Sequence, residues 1–226
     1  MLTVVKVGGG LGRGAGDDGL RALCLVLGKL GERHPLLVVP GGAGFADAVR
    51  DHDRRFGLRA TTSHRMAIHG MEQFGWLLSD LIPGAERCPD LAPAGGFADG
   101  RTTVLLPARL PLDALPASWH VTSDSIAAWI AGQVGAERLV LVKDVDGLFA
   151  DWPAHGQPLA RLTVAQLAAL RPGGVDAYLP TALERASFET WVVGGRDPER
   201  VVELFDRGTT VGTRIAAARL LPCRHE

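Results

Sequence analysis

Residues 4–12 read VVKVGGGLG. A β-branched run ends on a lysine and a valine, then meets three glycines in succession. The run 2–7, LTVVKV, predicts a short strand. Lys6 is one of only three lysines, with Lys29 and Lys143, among 24 Lys and Arg residues. Many glycine loops need no such lysine. A strand-end ammonium can aim at a phosphate, and glycine N–H groups can approach it closely because no Cβ intervenes. The competing reading is a lysine at a solvated strand end beside a flexible loop.

Several familiar motifs fail against this stretch. Counted from Gly8 or Gly10, the sixth position is Arg13 or Ala15, so the strand-end glycines do not make the dinucleotide fingerprint. No GxxxxGK followed by Ser or Thr occurs, which removes a P-loop. There is no GxSxG elbow and no HExxH. His64 and His69 are five residues apart, on different helix faces, so no dedicated metal site is expected.

Working outward, apolar runs alternate with helical patterns. Leu20, Leu23, Leu27 and Leu30 space a helix over 17–33. LLVVP (36–40) reads as a strand buried on both faces. GGAG (41–44) follows, then a helix with Phe45, Val49 and Phe56 expected on its buried side. Thr62 or Ser63 would cap a helix to about 82 that buries Met66, Phe74, Leu77, Leu78 and Leu81. Residues 83–100 are rich in Pro, Gly and Ala and read as loop with one short strand. TTVLLP (102–107), RLVLVK (138–143), FETWVVGG (188–195) and TTVGTRI (209–215) read as strands. TSDSIAAWIAGQVG (122–135) and DPERVVELFDRG (197–208) read as helices, with short ones near 163–170 and 180–187. This alternation predicts an α/β fold, a three-layer αβα sandwich around a mainly parallel sheet. Ligands of such sheets bind beyond the carboxyl ends of the strands, where VVKVGGG, VVPGGAG and VKDVDG all fall.

Composition sets the outer bounds. A length of 226 residues fits one domain, with 83–100 as a candidate boundary inside it. A formal net charge of −1 argues against a general nucleic-acid binder. Cys24, Cys88 and Cys223 form no CxxC pair, so neither a disulfide framework nor a thiolate zinc site is expected. No signal peptide opens the chain and no apolar run approaches eighteen residues, so a cytoplasmic protein without a membrane span is expected.

VVKVGGG, VVPGGAGFADAVR, TSDSIAAWIA and LVLVKDVDGLF occur in that order, and the ordered set resembles the amino acid kinase superfamily over nearly the whole chain. The resemblance implies a three-layer αβα sandwich, a kinase using ATP with Mg²⁺, and a small-molecule phosphoryl acceptor. It implies an acceptor-binding half over about 1–115 and a nucleotide-binding half over about 116–226. Lys6 matches the lysine that bridges the transferring phosphoryl group. Gly8, Gly9 and Gly10 match the turn that cradles ATP phosphates. Gly41, Gly42 and Ala43 match the acceptor loop. Asp124 matches the acidic residue that orients the catalytic lysines, and Thr122 and Ser123 before it are expected to bind the acceptor. Lys143, Asp144, Asp146, Gly147 and Phe149 match the nucleotide-side turn. Family members are often homo-oligomers, so self-association is implied, through helices at 17–33 or 61–82.

One departure stands out. Where many members carry a second catalytic lysine, this chain reads GVDAYLPTALER (174–185), without lysine. Lys143 or an arginine takes that role, or the mechanism manages without it. Within the superfamily, PGGAGFADAVR, SHRMAIHGM, SWHVTSDS, VDAYLP and VVGGRDPERV together look like the methanofuran-biosynthesis branch. Its acceptor is (5-(aminomethyl)furan-3-yl)methyl phosphate. His64 would then meet the phosphate and Trp119 the ring. Two alternatives stand beside this: a kinase of an acylated amino acid or another phosphate acceptor, and a non-catalytic nucleotide-binding protein of the same fold.

Overall fold

Strand β1 (Thr3–Val7) sets the parity on which the rest is built. Val5 and Val7 join one hydrophobic cluster, and Leu2 and Val4 join another on the opposite face. By the two-residue period of a strand, Lys6 points with Leu2 and Val4. The computed structural model describes residues 1–13, 18–91, 97, 100–111, 114–151, 156–171 and 173–217. Cys223 lies outside them, as does most of 92–99.

The remaining strands are β2 (Leu36–Pro40), β3 (Glu86–Cys88), β4 (Thr102–Leu105), β5 (Arg138–Lys143), β6 (Arg161–Leu162), β7 (Glu189–Gly194) and β8 (Gly212–Ile215). They form one sheet of order β3-β4-β2-β1-β5-β7-β8-β6, in which only the β7–β8 pair is antiparallel. The expected mainly parallel αβα fold is therefore present. β2 is buried at all five positions, as its continuous apolarity requires. The two-residue β6 has no periodic signal and was not anticipated.

Helices α1 (Asp18–Gly31) and α7 (Glu199–Arg207) cover the face of Val5 and Val7. The other face carries α4 (Ser123–Gln133), α5 (Val164–Leu170) and α6 (Leu179–Leu183). Helices α2 (Ala43–Phe56) and α3 (Ala60–Leu81) pack on each other. α3 gives Ile68 and Met71 to one cluster and Phe74 and Leu78 to the other. Among the described residues no helix is long and apolar enough to cross a membrane.

Two helix faces differ from expectation. α2 buries Ala43, Ala46 and Val49, while Phe45 is 38% and Phe56 65% exposed. The reason is close approach: a Cβ on Gly70 of α3 would lie 3.1 Å from the Ala46 nitrogen, so α2 meets α3 with its small side. α3 starts at Ala60, with Arg59 rather than Thr62 or Ser63 at its N-cap. Its buried stripe runs Ile68, Met71, Phe74, Leu78, and Leu77 falls off it at 42% exposed.

Phe74 is fully buried, and a Cβ on Gly12 would touch its ring at 3.0 Å, so it supports the glycine turn from below. Phe74→Ala is expected to destabilise the fold by about 3–5 kcal/mol in denaturant unfolding. A loss below about 1 kcal/mol would contradict this packing.

Candidate active site

The carboxyl ends of β1 and β5 and the first turns of α2 and α4 enclose a cavity of about 400 Å³. β1 ends in a tight 3-10 turn over Gly9–Gly12, whose leading N–H groups have no acceptor within the turn's own hydrogen-bond pattern. The turn is held by its neighbours. Gly8 donates to the Val142 carbonyl at 2.7 Å, and Gly41 to the Val7 carbonyl at 2.9 Å. Side chains would not fit there: a Cβ on Gly8 would lie 2.7 Å from the Val142 oxygen, and one on Gly9 2.5 Å from the Ala43 nitrogen. Gly10 lies against the Asp144 carboxylate. Ala43, at the start of α2, adopts φ 44° in the left-handed region. Such a conformation costs on the order of 1–3 kcal/mol and persists where its surroundings impose it.

At the floor of the cavity, Lys6 and Asp124 are each 2% exposed. Lys6 Nζ donates to Asp124 Oδ1 at 2.7 Å. Lys143 Nζ donates to both oxygens of the same carboxylate, at 3.0 and 2.8 Å. Strand parity explains the convergence. Lys6 shares its face with Val4, and Lys143 shares its face with Leu139 and Leu141 across the β1–β5 pair. Both therefore point toward α4, whose first turn carries Asp124. Lys143 thus lies beside the same carboxylate that holds Lys6.

Burial lowers the Lys6 ammonium to about 8, against the opposing attraction of Asp124; the nearby Lys143 charge adds to the lowering. Burial alone would raise the Asp124 carboxyl, but the Lys143 and Lys6 charges outweigh it and hold the group below the usual carboxylate range. Two ammoniums thus share one carboxylate and leave positive charge facing the cavity.

Asp176, which sequence reasoning passed over, fixes this arrangement. Its Oδ2 accepts from the backbone and hydroxyl of Thr122, both at 2.9 Å, and from the Ser125 backbone at 3.0 Å. Its Oδ1 accepts from the Ser125 hydroxyl. Its own N–H donates to Asp124 Oδ2 at 3.2 Å. Asp176 thereby caps α4 from a distance, a task the Thr122 side chain does not perform. Burial, then the Asp124 charge, push its carboxyl up, opposed by those hydrogen bonds. The only sequence signal was its place in VDAYLP.

Farther along the cavity, Trp119 Nε1 donates to Asp53 Oδ2 at 2.6 Å, and the Arg50 guanidinium lies over the Trp119 ring, 4.8 Å from its centre. His64, Arg13, Thr122 and Ser123 also line the wall. Of the sequence-nominated residues, Lys6, Gly8, Gly9, Gly10, Gly42, Ala43, His64, Trp119, Thr122, Ser123, Asp124, Lys143 and Asp144 meet at this one cavity. Gly41 sits behind the glycine turn, where a Cβ would lie 2.6 Å from the Gly9 nitrogen. Asp146, Gly147 and Phe149 are not part of the wall. Asp146 pairs with Arg200 at 2.6 Å, Gly147 packs on Thr213, and Phe149 is buried. Arg13, Arg50 and Asp53 were not nominated: Arg50 and Asp53 lie in a charge-rich run that looks like a solvated helix face, and Arg13 lies in a glycine-rich stretch that reads as loop.

Residues 1–187 match the model of the amino acid kinase family. A relative named [5-(aminomethyl)furan-3-yl]methyl phosphate kinase, from Methanocaldococcus jannaschii, is 28% identical over 218 residues, covering 95% of this chain and 97% of its own. The acetylglutamate kinase of Acidothermus cellulolyticus is 37% identical over 105 residues, covering 43% of this chain and 35% of its own. Among solved structures, uridylate kinase from Archaeoglobus fulgidus superposes with a TM-score of 0.76 at 23% identity, over 96% of this chain and 100% of that one.

With three lysines in the chain, each ε-carbon is resolvable by carbon-13 NMR. In the free protein Lys6 is expected to titrate near pH 8. It should titrate lower still in Asp124→Asn, which removes the attraction opposing burial. A Lys6 titration at the ordinary 10.5 would contradict the dominance of burial over the Asp124 attraction.

Proposed function

Because the chain belongs to the amino acid kinase family, we propose that it uses ATP to phosphorylate a small phosphomonoester, (5-(aminomethyl)furan-3-yl)methyl phosphate, to its diphosphate. The observation that carries the chemistry is the pair of ammoniums, 2.7 and 2.8 Å from one buried carboxylate, at the glycine-lined end of the cavity. The choice of acceptor is supported by the M. jannaschii relative, which aligns over almost the full length of both chains.

Phosphoryl transfer needs positioning and charge neutralisation more than covalent help from the protein. An oxygen of the acceptor phosphate attacks the γ-phosphorus, the bond to the β-bridging oxygen breaks, and ADP leaves. A phosphate monoester has its second pKa near 6, at roughly the value of a phosphorylated side chain. The attacking oxygen is therefore already deprotonated at neutral pH, and no general base is required. Lys6 and Lys143 each have N–H donors beyond those given to Asp124, and these neutralise the equatorial oxygens of the transferring group. Asp124 is the positioning group for both. Gly9 and Gly10 supply backbone donors to the nucleotide phosphates while Gly8 ties the turn to β5, and Gly42 and the start of α2 face the acceptor.

Among the described residues no three His, Cys, Asp or Glu side chains group to hold a metal ion. This wall fits Mg²⁺ brought in on the phosphates of the nucleotide, with Asp144 beside Gly10 as the carboxylate at that end. Mg²⁺ bound there would supply charge neutralisation for the phosphates. The acceptor half is assigned to about 1–115 and the nucleotide half to about 116–226, and an ATP donor implies the cytoplasm. Arg13, Arg50 and His64 provide cationic or hydrogen-bonding groups for an acceptor phosphate, and the Trp119 indole provides a surface for a ring. An acetylglutamate-type acceptor is the second reading, favoured by the identity to the A. cellulolyticus enzyme, though this chain spans only 35% of that enzyme.

Phosphorus-31 NMR of the protein with ATP, Mg²⁺ and the furan phosphate should show new diphosphate resonances. Activity on acetylglutamate with none on the furan phosphate would reverse the assignment. Lys6→Ala should lower turnover at least about a hundredfold with the fold intact. Lys6 acts as a cation, so kcat/KM should fall as pH rises through about 8, where the free enzyme loses that proton. Near-normal turnover in a folded Lys6→Ala protein would remove the mechanism.

A further inference from the structure

We infer that Asp53 selects an acceptor bearing a cationic amine, an inference that rests on the function proposed above. Most other charged groups of the cavity wall have opposite charges beside them, and Asp144 lies at the glycine-turn end, against Gly10. Lys6 and Lys143 share Asp124. Arg13 and Arg50 share Asp47, at 2.6 and 2.8 Å. Asp53 differs. The donor hydrogen-bonded to it is neutral, the Trp119 indole N–H at 2.6 Å, with the Ser63 hydroxyl and the Leu58 backbone also near. The Ser63 hydroxyl is moreover shared with the Arg59 carbonyl, 3.4 Å away. A carboxylate offers about four acceptor sites, so this one retains acceptor capacity toward the cavity.

Its surroundings keep it charged and fixed. Hydrogen bonding from Trp119, then Ser63, holds the Asp53 carboxyl below the usual range, so it stays ionised at neutral pH. Trp119 is itself pinned, edge-on to Asp53 and face-on to Arg50. The Arg50 guanidinium is turned to Asp47 and to the Trp119 face, and makes no ion pair with Asp53 among the described residues. The cavity is therefore bipolar. One end, with Lys6, Lys143 and the glycine turn, suits phosphates. The other presents an ionised carboxylate beside an aromatic ring, which suits a protonated amine carried on a flat ring. A carboxylate there would repel an acidic acceptor such as an acylated amino acid.

The test compares (5-(aminomethyl)furan-3-yl)methyl phosphate with its analogue bearing methyl in place of aminomethyl, in the wild type and in Asp53→Asn, which retains an oxygen for the Trp119 N–H. The wild type should favour the amine by about tenfold or more in kcat/KM, the size of one charge-assisted hydrogen bond. In Asp53→Asn that ratio should fall toward one. A wild-type ratio near one overturns the inference, even if the variant folds poorly. So does a ratio that Asp53→Asn leaves unchanged, which would make Asp53 only a brace for Trp119. Transfer by the wild type to neither furan overturns the proposed function and this inference together, whereas transfer to both without discrimination overturns the inference alone.

Discussion

Two ammonium groups, one buried and one half-buried, on neighbouring parallel strands cannot stand without a counter-charge, and Asp124 is that counter-charge. Lys6 ends the inward-facing row of β1, Lys143 ends the same row of β5, and the first turn of α4 sits over both. Breaking a buried pair of this kind typically costs about 3–5 kcal/mol. The α4 N-terminus must therefore be held, and Asp176 holds it with four accepted hydrogen bonds while its own N–H steadies Asp124. The charge of Asp176 is engaged by the helix, which leaves two cations against one free carboxylate. That surplus faces the space an anionic group would enter.

The glycine turn belongs to the same constraint. Gly8 lies against β5, and Gly9 and Gly41 lie against each other and the start of α2. A side chain at any of them would push apart the strand ends that bring the lysines together. Phe74 supports the turn from beneath, so core packing and site geometry are linked through one aromatic ring. α2 then runs away from the turn and carries Arg50 and Asp53 along the cavity wall to Trp119. The fold thus sets a lysine-bearing end and a carboxylate-bearing end within one cavity.

Much of this was legible in the sequence because strand burial writes itself as continuous apolar runs. LLVVP and RLVLV gave β2 and β5, and strand-helix alternation gave the parallel αβα plan. Lys6, Gly8–Gly10 and Asp124 were found from motif order. The partnership of Lys143 with Lys6 was not legible, because it depends on β5 pairing with β1 across the intervening β2, β3 and β4. The face of α2 was misread because hydrophobicity favoured Phe45 and Phe56, whereas close packing against Gly70 favoured alanine. Asp53 was hidden in RDHDRR, where a charge run reads as solvent-facing and only the tertiary contact with Trp119 sets it apart.

Lys143 holds the same carboxylate as Lys6, although it lies outside the segment where many family members carry their second catalytic lysine. The most direct measurement is the turnover of Lys143→Ala with ATP and the furan phosphate, with folding checked by near-ultraviolet circular dichroism. A folded variant slowed at least about a hundredfold, the scale of one lost donor to developing charge, is the expected result. A folded Lys143→Ala protein with near-normal turnover would contradict the shared-carboxylate mechanism.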